Sequence, residues 1–190
     1  MDASGNASVT TPALTSDSTY SLVSVASAGT LSCSQLQTGS AIVSVISLPT
    51  ATISGSTTIC SGGTATISFT GTPNAIVTYT VDSGANQTVT LDATGNATVT
   101  TSALTSDSVY TLVNVALTGT ASCSQAQTGS ATITITPLPT AAISGSTSVC
   151  PNSTAVISFT GTPNATITYT VDSGANQTIT LDASGNATVT

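Results

Sequence analysis

Apolar residues alternate with Thr and Ser along most of this chain, a period of two that sets every second side chain on the same face of a strand. Residues 64–70 place Ala65, Ile67 and Phe69 opposite Thr and Ser. Residues 75–81 repeat the pattern with Ala75, Val77, Tyr79 and Val81, and residues 130–136 with Ala131, Ile133 and Ile135. Shorter runs at 87–91 (Val89, Leu91) and 96–101 (Ala97, Val99) continue it. Between the runs lie turn formers: Gly71-Thr72-Pro73-Asn74, Asp82-Ser83-Gly84-Ala85-Asn86 and Asp92-Ala93-Thr94-Gly95-Asn96. With 51–54 and 109–115 added, about seven short strands fall in roughly ninety residues, which predicts an all-β fold, an antiparallel sandwich of immunoglobulin type.

The pattern recurs. A shift of ninety positions puts Tyr20 on Tyr110, Cys33 on Cys123, Cys60 on Cys150 and Asp82 on Asp172, with about 70% of aligned positions identical and no gap. Proline cannot donate into a central ladder, so Leu48-Pro49 and Pro137-Leu138-Pro139 mark boundaries. Residues 50–138 then form one complete repeat, 1–49 the C-terminal half of a preceding one and 139–190 the N-terminal half of the next. Leu181–Thr190 repeats both Leu91–Thr100 and Met1–Thr10. Two copies of that ten-residue stretch compete for one strand position, so one of them is expected to be displaced or disordered. Met1 stands where the other copies have Leu, and no basic or apolar leader follows it, so the chain is expected to be a mature piece or an excerpt.

Composition narrows the function. The 190 residues hold no Lys, Arg, His, Glu or Trp, and seven Asp set the net charge at −7. Without cations the chain cannot neutralise phosphates, which excludes nucleic acid and attachment to anionic membranes. No apolar run reaches the length of a membrane span. The usual general bases and imidazole ligands are missing, so no enzyme, catalytic residue, cofactor or metal site is expected. Apolar residues at 39% suffice for a core, and the surplus of Thr, Val and Ile favours strands. No salt bridge between side chains can form, trypsin has no site, and edge strands lack the Lys that commonly blocks strand-to-strand association.

Each repeat owns two cysteines. Cys60 precedes the second strand and Cys123 lies in the loop before the last, places that can meet at one end of a sandwich. A Cys60–Cys123 disulfide is therefore expected, with free buried thiols as the alternative; closing that loop stabilises by roughly 4 kcal/mol on the chain-entropy model. Cys33 and Cys150 would take partners in neighbouring repeats or chains: either the next repeats of a longer covalent chain, or, if copies join head to tail, other copies in a contact that does not close and so propagates a filament. Paired cysteines imply an oxidising, extracellular setting.

Single Asp residues in Asp82-x-Gly84-x-Asn86 and Asp172-x-Gly174-x-Asn176 are too few for calcium, and as turn residues they suit hairpins. Asn-x-Ser/Thr occurs at Asn6, Asn86, Asn96, Asn152, Asn164, Asn176 and Asn186, matches that arise readily in a Thr- and Ser-rich chain. Leu104–Leu112 resembles the tyrosine corner opening the sixth strand of such sandwiches, with Tyr110 its tyrosine and Tyr20 the counterpart in Leu14–Leu22.

Ile53–Cys60, Ile67–Pro73 and Tyr79–Gly84, and with them the whole chain, resemble the tandem immunoglobulin-like repeats of very large secreted surface proteins of Bacteroidota bacteria. That resemblance implies secretion, a cell-surface or extracellular location, and a role as stalk, adhesin or fibre whose partners are copies of itself. It carries no catalytic residues. Asp17-Ser18-Thr19 and Asp107-Ser108-Val109 resemble the O-glycosylation signal of that phylum, with Ser18 and Ser108 as acceptors. The competing reading is a module that binds surface glycans through exposed loops. It needs aromatic platforms, and Tyr79 and Tyr110 are expected to face inward.

Overall fold

In the computed structural model, which describes residues 4–27, 31, 33–119 and 122–190, the chain is all-β, with eighteen strands and no helix among those residues. The first four strands are β1 (Ser18–Ser21), β2 (Ser24–Ala26), β3 (Ser34–Leu36) and β4 (Ser40–Val43). Nine follow between the prolines: β5 (Ala51–Ser54), β6 (Thr57–Cys60), β7 (Thr66–Gly71), β8 (Ile76–Val81), β9 (Gln87–Thr90), β10 (Asn96–Thr100), β11 (Ser108–Ala116), β12 (Ser124–Ala126) and β13 (Ser130–Thr136). The last five are β14 (Ala141–Ser144), β15 (Ile157–Gly161), β16 (Thr166–Tyr169), β17 (Gln177–Thr180) and β18 (Asn186–Val189).

Strands β5 to β13 form two sheets of a sandwich-type fold, ordered β10-β7-β5 and β6-β13-β11-β8-β9, with β12 paired to β11. All seven expected strands are present within a residue or two of the expected bounds. Two more are added, β6 and β12. Chain-adjacent β5 and β6 belong to different sheets, and β6 runs parallel to the last strand, β13, from Thr57↔Ile133 to Cys60↔Thr136.

Contacts group the chain into two compact units. One comprises Met1–Ile53, Ser68–Thr98 and Thr111–Ser130. In it Phe69 of β7 meets Tyr79 of β8 with ring centroids 5.0 Å apart and planes tilted by 40°, a contact between the two sheets. Ala75, Val77, Leu91, Leu112 and Val115 are buried beside them. Alternation underlies this along β7 and β8, where Ser68, Thr70, Thr78 and Thr80 intervene between the buried residues. In the same unit β1 pairs with β4 and β2 with β3.

The second unit comprises Ser54–Ile67, Val99–Tyr110 and Ala131–Thr190. It buries Ile67, Tyr110, Ala131 and Ile133, and in 139–190 Phe159 and Leu181. There β14-β15-β18 form a three-stranded sheet and β16 pairs with β17. Phe159 and Tyr169 repeat the ring contact at 5.0 Å. Of the duplicated ten-residue stretches, the last supplies β18, paired with β15, while Ser4–Thr10 form no strand.

Candidate functional site

The turns are built from side chains that stand in for backbone. Asp92 Oδ1 accepts from Thr94 N–H (2.8 Å), Thr94 Oγ1 (2.7 Å) and Asn96 N–H (3.0 Å). These bonds, that from Asn96 N–H foremost and then that from the Thr94 hydroxyl, hold the Asp92 carboxyl below the ordinary carboxylate range. Asp182 accepts the equivalent backbone bonds from Ser184 and Asn186 (2.8 and 2.9 Å). Asp82 and Ser83 have φ of 51° and 59°, with Gly84 N–H donating to Val81 O at 2.8 Å, the two left-handed residues of a primed hairpin turn. Among the described residues no cluster of three His, Cys, Asp or Glu could hold a metal.

The cysteines are not paired. All four are free thiols; Cys33, Cys60 and Cys150 are exposed and Cys123 is half-buried. The expected Cys60–Cys123 bond fails because the two residues belong to opposite ends of β11. Cys60 ends β6 in register with Thr136, beside Ile135, whose N–H bonds Asp107 just before β11 begins. The Cys123 carbonyl accepts from Leu117 N–H, just past the other end of β11. β11 is nine residues long. Nine strand residues span about 30 Å, against the roughly 7 Å between Cα atoms that a disulfide tolerates. Cys33 and Cys150 have no disulfide partner in this chain either.

Tyr110 is buried within β11, as is Ser108 at its start, whereas Tyr20 is 41% exposed and Ser18 half-buried. Of the two serines expected as O-glycosylation acceptors, Ser18 is the more accessible. Tyr79 is also buried, with its hydroxyl donating to Gln87 Oε1 at 3.1 Å, and desolvation raises its pKa above 10.0. Neither Tyr79 nor Tyr110 offers a ring face to a sugar.

Sequence reasoning overlooked a carboxylate clamp in the segment read as a tyrosine corner. Asp107 Oδ1 accepts from Ile135 N–H at 2.7 Å, tying the entry of β11 to β13, and Asp17 accepts from Val45 N–H at 2.8 Å. The signal was present: an Asp at the same place before each Tyr, ninety residues apart.

What remains open to a partner is apolar sheet. A hollow of about 310 Å³ lies among Ile143, Ile157, Phe159, Tyr169, Val171 and Val189. In the N-terminal segment Leu22, Val25 and Val43 are 54%, 43% and 38% exposed, where Leu112, Val115 and Ile133 are at most 3%.

No known protein family and no curated protein matches the chain.

Proposed function

We propose that this chain is a structural segment of an extracellular bacterial surface filament or adhesin stalk: tandem immunoglobulin-like domains bounded at about 49/50 and 138/139, able to join copies of itself. The observation that carries the reading is the recurrence of structural bonds at ninety-residue intervals. Thr50 N–H donates to Thr72 Oγ1 at 3.0 Å and Thr140 N–H to Thr162 Oγ1 at 2.9 Å. Gly71 N–H donates to Gly95 O and Gly161 N–H to Gly185 O, both at 2.9 Å. The Asp92 turn, the Asp107 clamp and the Phe69–Tyr79 contact each have a counterpart at the same interval. Corners, turns and core are copied, and the copied residues are those that hold shape rather than those that move protons or bind ions. The resemblance to secreted Bacteroidota repeats supports the surface location.

Electron microscopy of the native protein tests this. The expected image is a thread with regular beads about 30–40 Å apart, the length of a nine- to ten-residue strand plus a short linker. Isolated particles without an axial repeat would overturn the reading.

A further inference from the structure

We infer that the open face of residues 139–190 is a docking site for residues 11–49 of a second copy of this chain, which covers it as residues 101–138 cover residues 50–100. The inference rests on the head-to-tail reading above and gives it a partner, a segment and a register.

Residues 50–138 supply the template. Cys60 lies in register with Thr136, and Thr132 N–H donates to Ser56 Oγ at 3.0 Å. Gly62 N–H donates to Leu104 O at 2.7 Å and Leu104 N–H to Gly63 O at 3.0 Å. Ala65 N–H donates to Thr101 Oγ1 at 3.0 Å. Shifted by ninety, these pairs become Cys150 with Ile46, Ser146 with Ile42, Asn152 and Ser153 with Leu14, and Ala155 with Thr11. In each, the residue named last lies in 11–49 and its partner in 139–190.

Both segments leave apolar positions uncovered whose counterparts in 50–138 are buried or half-buried. Residues 147–150, which correspond to β6, form no strand where no counterpart of β13 lies beside them. Ile143 is 64% exposed, while Ile53 is half-buried. On the other half, Tyr20 is 41% exposed where Tyr110 is 6%. The strands that would cover the face are already assembled: β1 pairs with β4 from Ser18↔Val43 to Ser21↔Ser40, and the Asp17 clamp is closed. A preformed surface loses little freedom on docking. The strand position of Met1–Thr10 is taken by β18, so the docking segment begins at Thr11. One bond is forfeited, because Pro151 stands where Ser61 N–H donates to Thr136 O at 2.9 Å. Such a contact joins unlike surfaces and does not close, so copies add in line.

The test is a cross-link in the predicted register. Ile46→Cys is combined with Cys33→Ser, Cys60→Ser and Cys123→Ser, leaving Cys150 as the only native thiol. Oxidised glutathione takes up two electrons as the thiols at 46 and 150 lose their protons and form one S–S bond. The expected result is a reducible ladder of multimers. Cleavage before Asp should join fragment 17–81 to fragment 107–171. A Thr136→Cys chain retaining only Cys60 should close its bond within one molecule, which verifies the template register and the fold of 50–138. The inference is overturned by a single-chain mass at every concentration, by a 46–150 bond within one chain, or by equal cross-linking of Cys150 to a thiol from Val9→Cys, a residue 83% exposed and outside the register. Any of these would leave the stalk reading intact, since that rests on the axial spacing of the native thread.

Discussion

Three glycines separate two costs that substitution usually mixes. Gly95 has φ +81°, and a Cβ built on it falls onto the carbonyl oxygen of Gly71, whose N–H donates to Gly95 O at 2.9 Å. Gly62 has φ +85° with nothing within 4 Å of that position. Gly71 lacks a left-handed φ, but a Cβ there falls onto Thr50 O and lies 2.8 Å from Ala51 Cα. An alanine forced left-handed costs about 1–2 kcal/mol. Crowding atoms into packed structure costs about 1–3 kcal/mol. Gly62→Ala should therefore lose about 1–2 kcal/mol from strain alone and Gly71→Ala about 1–3 kcal/mol from collision alone, while Gly95→Ala, bearing both, loses about 2–5 kcal/mol. Urea denaturation followed by tyrosine fluorescence reads the three, with the slope checked for constancy. In a domain of this size each kcal/mol also lowers the melting temperature by about 4–8 °C. If Gly95→Ala costs no more than Gly62→Ala, the close approach of the 71 and 95 backbones is refuted.

Phe69→Ala removes a fully buried ring facing Tyr79 and should cost about 3–5 kcal/mol in the same assay; a loss under 1 kcal/mol would place Phe69 outside the core. Because the folded state depresses the Asp92 pKa, the stability it contributes is present above the unfolded value of about 3.9 and disappears as pH falls through the folded value. Asp92→Asn should accordingly be less stable at neutral pH and decline less steeply in acid, read by melting temperature against pH. Thiol titration of the chain isolated without reductant should find four reactive groups, with Cys33, Cys60 and Cys150 ahead of half-buried Cys123; fewer than four after denaturation would contradict the free thiols.

Period-two alternation located the seven strands, because each of Ile67, Phe69, Tyr79 and Ile133 is an apolar side chain flanked by Thr or Ser, and a sheet with one dry face admits only that register. The Asp92 and Asp82 turns were legible for a similar reason, since their chemistry is local. β6 was not legible: Thr57–Cys60 has one apolar residue, Ile59, and becomes a strand through its parallel partner seventy-six residues away. Without it Cys60 only precedes the second strand, at a place that could meet Cys123, whereas in the structure it ends a strand of its own beside the start of β11. The Asp107 clamp escaped notice because its partner is a backbone amide twenty-eight positions along, invisible to any pattern of side chains.

The parallel pairing of β6 with β13 has a consequence for a polymer under tension. The chain enters residues 50–138 through β5, which joins one sheet, then β6, and leaves after β13; β6 and β13 run in the same direction, bonded side by side. A pull on the flanking prolines slides β6 past β13, loading the bonds between Thr57–Cys60 and Ile133–Thr136 in shear. Those bonds stretch together and must rupture together, whereas an antiparallel hairpin gripped at its open end unzips one rung at a time.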